Sequence, residues 1–256
     1  MSGSWPSDRL APTTVLRLAM WSGPRNVSTA LMRSWGNRDD TIVVDEPFYA
    51  HYLAVTARQH PGREEVIAHH ETDWRRVVET LLAPLPGGVG VFYQKQMSHH
   101  LLPDMGRDWL PQLTHAFLIR DPRSMLASLA EKLEDCNLAD TGLPQQVEIF
   151  DHVVATTGQV PPVVDSVDLL AAPEATLRRL CAALGVPFSE RMLAWPPGRR
   201  DTDGSWARWW YTRVEQSTGF EAPPAGEPSP LSDELAAIEA QCRPLYEKLW
   251  RHRLTA

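Results

Sequence analysis

A chain of 256 residues that is 43% hydrophobic and 22% charged, with a net charge of −7, has the composition of a globular protein able to bury a sizeable core. The acidic balance argues against broad nucleic-acid binding, so a small anionic ligand would have to be held by a local cluster of Arg and Lys. Three dispersed cysteines, Cys136, Cys181 and Cys242, argue against a disulfide framework or a zinc site, and the chain lacks both a signal-like start and an apolar run of about 18 residues, so a cytoplasmic protein with no membrane partner is expected.

Residues 1–13 read as a flexible tail, and residues 14–256 as a single domain. Residues 15–21 read as a buried strand and residues 27–35 as an amphipathic helix. The turn between them, Ser22-Gly23-Pro24-Arg25-Asn26-Val27-Ser28-Thr29, sets a cation, an amide and two hydroxyls at a helix start. Free N–H groups beside an Arg make an anion site there, and phosphate is the usual guest. The turn departs from the Gly-x-x-x-x-Gly-Lys-Ser/Thr pattern, because Arg25 stands near the Lys position and the second Gly is missing. Simple capping of the helix by Ser and Thr is the competing reading.

A β-branched run at 41–46 ends in Asp45-Glu46, followed by Pro47. Residues 48–60 and 73–83 read as helices, with a break at Pro61-Gly62. A third strand at 89–94 leads into Lys95 and then His99-His100. A fourth strand at 114–119 ends in Arg120-Asp121-Pro122, and the helix opened by Pro122 is expected to run to about residue 133. A polar connection follows, then a helix at 145–157, a short strand at 161–165, and a helix at 173–184 that Gly185 stops. A basic loop at 196–203 carries Arg199 and Arg200. The aromatic run at 206–211 suits either core or a pocket wall. A Pro-rich linker at 223–230 precedes an amphipathic helix at about 231–251. That helix can pack on its own domain or on a second copy, so a homodimer is open.

Repeated strand–helix alternation predicts an α/β fold: three layers, α/β/α, around a mostly parallel sheet. In such sheets ligands gather at the carboxyl ends of the strands. The expected strand ends carry residues 22–29, Asp45-Glu46, Lys95 to His100, and Arg120 to Ser128. Arg120 at a strand end and Ser128 two turns into the next helix can grip one phosphate, with Arg offering a planar fork. An Arg-Asp-Pro turn with a local ion pair is the plainer alternative.

Taken together, the segments from about residue 15 to 220 resemble the sulfotransferases that use 3′-phosphoadenosine 5′-phosphosulfate (PAPS), in particular their small bacterial members. The resemblance implies a P-loop nucleotide-hydrolase-like fold. It implies that residues 22–29 hold the donor's 5′-phosphosulfate, with Arg25 in place of the usual Lys and Ser28-Thr29 as the hydroxyl pair. It implies that Arg120 and Ser128 hold the 3′-phosphate, and that the loop with Arg199 and Arg200 is a degenerate form of a late basic loop beside it. Lys95-Gln96-Met97-Ser98-His99-His100-Leu101-Leu102-Pro103 is similar to the family's Lys-x-His-Leu-Pro pattern, with longer spacing. The implied reaction moves a sulfuryl group from PAPS to a hydroxyl or amine of a small-molecule acceptor and leaves 3′,5′-bisphosphoadenosine (PAP). No metal is required, since Arg25 and Lys95 can neutralise the leaving oxygen. The general base is His100, His99 or the rival Glu46; a His near its ordinary pKa of about 6.5 suits that task. A P-loop small-molecule kinase and a non-catalytic nucleotide-binding module are the alternatives.

Overall fold

The computed structural model describes residues 15–56, 58–131, 135–222 and 230–255. The first strand, β1 (Leu16–Ser22), is almost wholly buried. Its side chains alternate between two cores: Ala19 and Trp21 enter one, Leu18 and Met20 the other. A strand buried on both faces is what a central parallel position demands. In chain order there follow α1 (Ser28–Gly36), β2 (Thr41–Asp45), α2 (Tyr49–Thr56), α3 (Arg63–His69), α4 (Trp74–Leu82) and β3 (Val91–Met97). The second half comprises β4 (Thr114–Ile119), α5 (Pro122–Ala130), α6 (Leu143–Thr157), β5 (Val163–Asp165), α7 (Ser166–Ala171) and α8 (Pro173–Ala183), then the short α9 (Ala207–Trp210) and α10 (Thr212–Gln216), and finally α11 (Asp233–Trp250).

The five strands form one sheet in the order β2-β3-β1-β4-β5, and every pairing is parallel. The first core packs α4, α5, α6 and α11 on one face of the sheet, through Leu81, Leu126, Ile149 and Leu249. The second packs α1, α7 and α8 on the other, through Leu31, Trp35, Leu169 and Leu180. Each such buried side chain contributes about 1.5–3 kcal/mol, so the three-layer α/β/α arrangement follows from the two-sided burial of β1, β3 and β4. A third cluster, built around Tyr49, Leu53, Val66 and Trp206, joins α2, α3 and α9.

Several boundaries differ from the sequence reading. The helix expected at 48–60 stops at Thr56, whose hydroxyl bonds back to Tyr52 O at 2.6 Å. Such back-bonding competes with helix propagation. The third strand, expected at 89–94, spans Val91–Met97, because the polar run Gln94-Lys95-Gln96 stays in register with Ala19-Met20-Trp21 and is buried. The helix from Pro122 ends at Ala130 rather than 133. Four short helices have no counterpart in the sequence reading. Helix α3 follows Gly62, α9 and α10 fall in and just after the aromatic run at 206–211, and α7 is capped by the Asp165 carboxylate, which accepts from Val167 N at 2.8 Å. The expected tail at 1–13 and all but the last residue of the linker at 223–230 lie outside the described residues.

Candidate active site

Past β1 the chain turns sharply at Gly23. A Cβ there would lie 2.3 Å from Thr141 O, so only glycine allows the turn to press against the loop that ends at Gly142. Beyond it, Arg25 and Val27 both adopt left-handed backbone, with φ of 59° and 56°. For a β-branched residue this costs about 1–3 kcal/mol and marks a strained, over-determined segment. Left-handed residues at alternate positions are the backbone of an anion-binding nest. Helix α1 starts directly after it; its N-cap, Val27, has no side-chain oxygen to offer, and its first turn holds no acid. The positive end of the α1 dipole is therefore left for a ligand.

This turn lines a cavity of about 280 Å³ at the carboxyl ends of β1, β3 and β4. One end is basic. Arg25 Nε donates to Ser128 Oγ at 2.9 Å. The Arg120 guanidinium donates to the carbonyl of Arg25. Arg213, from α10, lines the same space. Burial lowers the pKa of Arg25; Glu131 offsets this in part, and Arg213 adds to it. Burial lowers that of Arg120 as well, reinforced by Arg25 and Arg213. Among the described residues none of the three forms an ion pair. Glu131 and Asp121 offset the positive charge only in part, acting on Arg25 and Arg120 without pairing with them, so three like charges share one cavity, which is the electrostatic form of a polyanion site.

The other end is aromatic and acidic. Lys95 is buried, and its ammonium donates to Asp45 Oδ1 at 2.9 Å, Glu46 Oε1 at 2.6 Å and Tyr211 Oη at 2.5 Å. All three of its donors are used. Burial works against its charge, but Asp45 and Glu46 more than offset this and hold its pKa above the usual lysine value. Glu46 sits at a φ of 40°. Burial raises its pKa, Lys95 draws it down and Asp45 pushes it up, for a net rise. His99 and His100 line the cavity on the 3₁₀ turn after β3. Their rings lie 4.3 Å apart, centroid to centroid. Burial lowers the pKa of His99 to about 3, helped by His60 and Arg58, and pushes that of His100 well below the usual imidazole value.

The structure thus brings Arg25, Arg120 and Ser128 together, with Pro24, Asn26, Val27, Ser28 and Thr29 beside them on the cavity wall. Ser22 and Gly23 lie beneath it: Ser22 is fully buried and its carbonyl accepts from Ser98 Oγ at 3.1 Å. Arg199 and Arg200 do not line the cavity. Arg200 donates to Pro196 O at 2.9 Å, and Arg199 lies 3.9 Å from Glu215. The third guanidinium comes instead from Arg213, which no motif marks in the sequence. Lys95 lines the cavity too, but its ammonium is tied to Asp45, Glu46 and Tyr211. The histidines depart from the ordinary imidazole range because aromatic neighbours, not solvent, surround them: His100 stacks on Tyr49 at 4.8 Å and packs on Tyr52 at 4.7 Å. Tyr49, Tyr52, His60 and Trp210 also line the space. Of these, only Trp210 belonged to a segment whose aromatic spacing suggested a wall.

Residues 16–250 match the family profile of a sulfotransferase domain. Two Arabidopsis thaliana proteins, branched-chain-amino-acid aminotransferase-like proteins 2 and 1, are 37% and 38% identical to it over 91% and 79% of this chain. The matches cover 41% and 36% of those proteins, so the chain spans about two fifths of the length of these relatives. A sulfotransferase from Alicyclobacillus acidocaldarius shares the fold, with a TM-score of 0.53 at 15% identity over 94% of this chain and 98% of that one.

Proposed function

The chain belongs to the family of sulfotransferase domains, and on that premise we propose that it moves a sulfuryl group from PAPS to a small-molecule acceptor. The observation that carries the donor assignment is the group of three guanidiniums, Arg25, Arg120 and Arg213, without an ion-pair partner among the described residues. The fit is one of charge and shape. The strained turn and the uncapped start of α1 suit a 5′-phosphate, while Arg120, Ser128 and Arg213 suit a second phosphate. Leu170, Val214 and Phe220, also on the cavity wall, suit a purine ring.

When bound, the donor supplies the sulfuryl group and leaves as PAP. The chain's own part is positioning and charge neutralisation. Arg25 neutralises charge that builds on the leaving phosphate oxygen. Glu46 takes the acceptor's proton. Its raised pKa suits a general base, whereas imidazoles as depressed as His99 and His100 accept protons poorly. His99 and His100 then serve as uncharged walls of the acceptor space. Lys95 orients Glu46 through the 2.6 Å bond to Oε1.

Calorimetric titration with PAP and with ATP, each without and with Mg²⁺, tests the reading. PAP-selective binding without metal is expected. Equal or tighter binding of ATP with Mg²⁺ would replace it with a kinase.

A further inference from the structure

At the end of the cavity away from the three arginines the charges do not balance. Asp45 and Glu46 bring two carboxylates to the single ammonium of Lys95, and the side chains of Lys95, Asp45 and Glu46 are only 1%, 1% and 12% exposed. Asp45 is fully partnered: Lys95 and Tyr211 donate to it, and so does Gly204 N at 3.2 Å. Glu46 is not. Among the described residues Lys95 Nζ at 2.6 Å and the Tyr211 hydroxyl at 3.4 Å both approach Oε1, and the single Tyr211 proton is already given to Asp45 at 2.7 Å. Oε2 receives no hydrogen bond from them, on a residue that lines the cavity. A buried carboxylate without its full counter-charge is costly, and a cation delivered by a ligand lowers that cost.

Among the described residues near this end, no cation, Lys95 included, is left without a carboxylate partner. His60 and His99 are held uncharged by burial, at about 4 and about 3, and His100 lower than its ordinary value as well. Arg58 is committed to Asp140 through two hydrogen bonds. What faces the space is ring surface. Tyr49 and Tyr52 flank His100, and Trp210 stands 5.8 Å from His60. Aromatic faces carry negative potential and attract ammonium groups. An anionic acceptor would meet Glu46 and those faces unfavourably; a neutral alcohol would leave the surplus charge in place.

We propose that the acceptor is a small primary amine on an apolar or aromatic body, seated with its ammonium on Glu46 Oε2 among these rings, and that its nitrogen receives the sulfuryl group. This rests on the sulfuryl-transfer reading of the cavity. Glu46 takes one proton from the ammonium. The freed lone pair forms the N–S bond as the S–O bond to the 5′-phosphate breaks, and that bond's electron pair stays on the phosphate oxygen. The second nitrogen proton passes to solvent. The products are a sulfamate, PAP and two protons, one of them first on Glu46.

The test is a charge series of similar shape: 2-phenylethylamine, 2-phenylethanol and phenylacetate, titrated into the protein with and without saturating PAP. The amine is expected to bind more than about tenfold tighter than the alcohol, and the acid more weakly than both. In Glu46→Gln the amine and alcohol should fall within about twofold of each other, while PAP affinity stays as in the wild type. An amine no tighter than the alcohol in the wild type overturns the proposal, whatever the variant does. So does a preference that survives Glu46→Gln. Failure to bind PAP would instead overturn the donor reading, and the series without PAP still tests the amine preference. The acceptor atom is read with PAPS and tyramine, which offers both groups: sulfate on the nitrogen supports the assignment. Sulfate on the phenol overturns it, as does no transfer.

Discussion

Arg120→Ala tests the donor site at the residue on which most of it converges. Arg120 is half-buried at the end of β4, donates to the Arg25 carbonyl, and shares the cavity with two other guanidiniums. A charge-assisted hydrogen bond to phosphate contributes about 1.5–3 kcal/mol. At about 1.4 kcal/mol per tenfold, losing it weakens PAP binding by roughly 10- to 150-fold. The unliganded protein should barely notice. The variant forfeits the bond onto Arg25, worth about 0.5–1.5 kcal/mol, but it also relieves two like charges of a buried neighbour, so stability should change by no more than about 1 kcal/mol. Arg120→Lys keeps the charge and loses the planar fork, and its affinity should fall between the two. The assay is calorimetric titration with PAP, paired with urea unfolding of each unliganded variant. A PAP Kd for Arg120→Ala within about threefold of wild type, with the fold intact, would refute the assignment of Arg120 to a phosphate.

Arg213→Ala should weaken PAP binding by a similar factor and Arg199→Ala should leave it within about twofold, since only Arg213 lines the cavity; equal effects in the same titration would undo that distinction. Lys95→Met leaves Asp45 and Glu46 buried without a counter-charge and should cost about 3–5 kcal/mol in urea unfolding; a loss below about 1 kcal/mol would show that the pair is not the keystone of that end. Gly23→Ala forces a Cβ to within 2.3 Å of Thr141 O and should cost about 1–3 kcal/mol, with a parallel loss of PAP affinity; wild-type stability would mean the turn yields freely. Stability should also fall as pH drops from about 6.5 toward 4. Burial lowers His60, His99 and His115 to about 4, about 3 and about 4, so in that window the unfolded chain binds protons that the folded one refuses. Each such histidine removes up to about 1.4 kcal/mol per pH unit. Glu46 and Asp165, raised chiefly by burial, bind protons in the folded state first and return part of it. Urea midpoints that stay flat between those pH values would contradict the buried, neutral state of these rings.

The sequence alone determined the α/β alternation and the strand–turn–helix at residues 16–36, because the runs of apolar residues and the turn chemistry at 22–29 are local properties of the chain. It also marked Arg120 and Ser128, since one strand end and the following helix set their spacing. Tertiary structure decided the rest of the site. Lys95, legible as a strand-end cation, is tied up by Asp45, Glu46 and Tyr211, the last of them 116 residues away. His99 and His100 lose their basicity to rings from α2. Arg213 lines the cavity and Arg199 and Arg200 do not, because residues 210–221 run along it while the 196–203 loop turns onto its own backbone. Charge compensation and desolvation depend on neighbours that only folding brings together. The residue types could therefore be read from the chain, but which of them stay charged, and which are free to meet a ligand, could not.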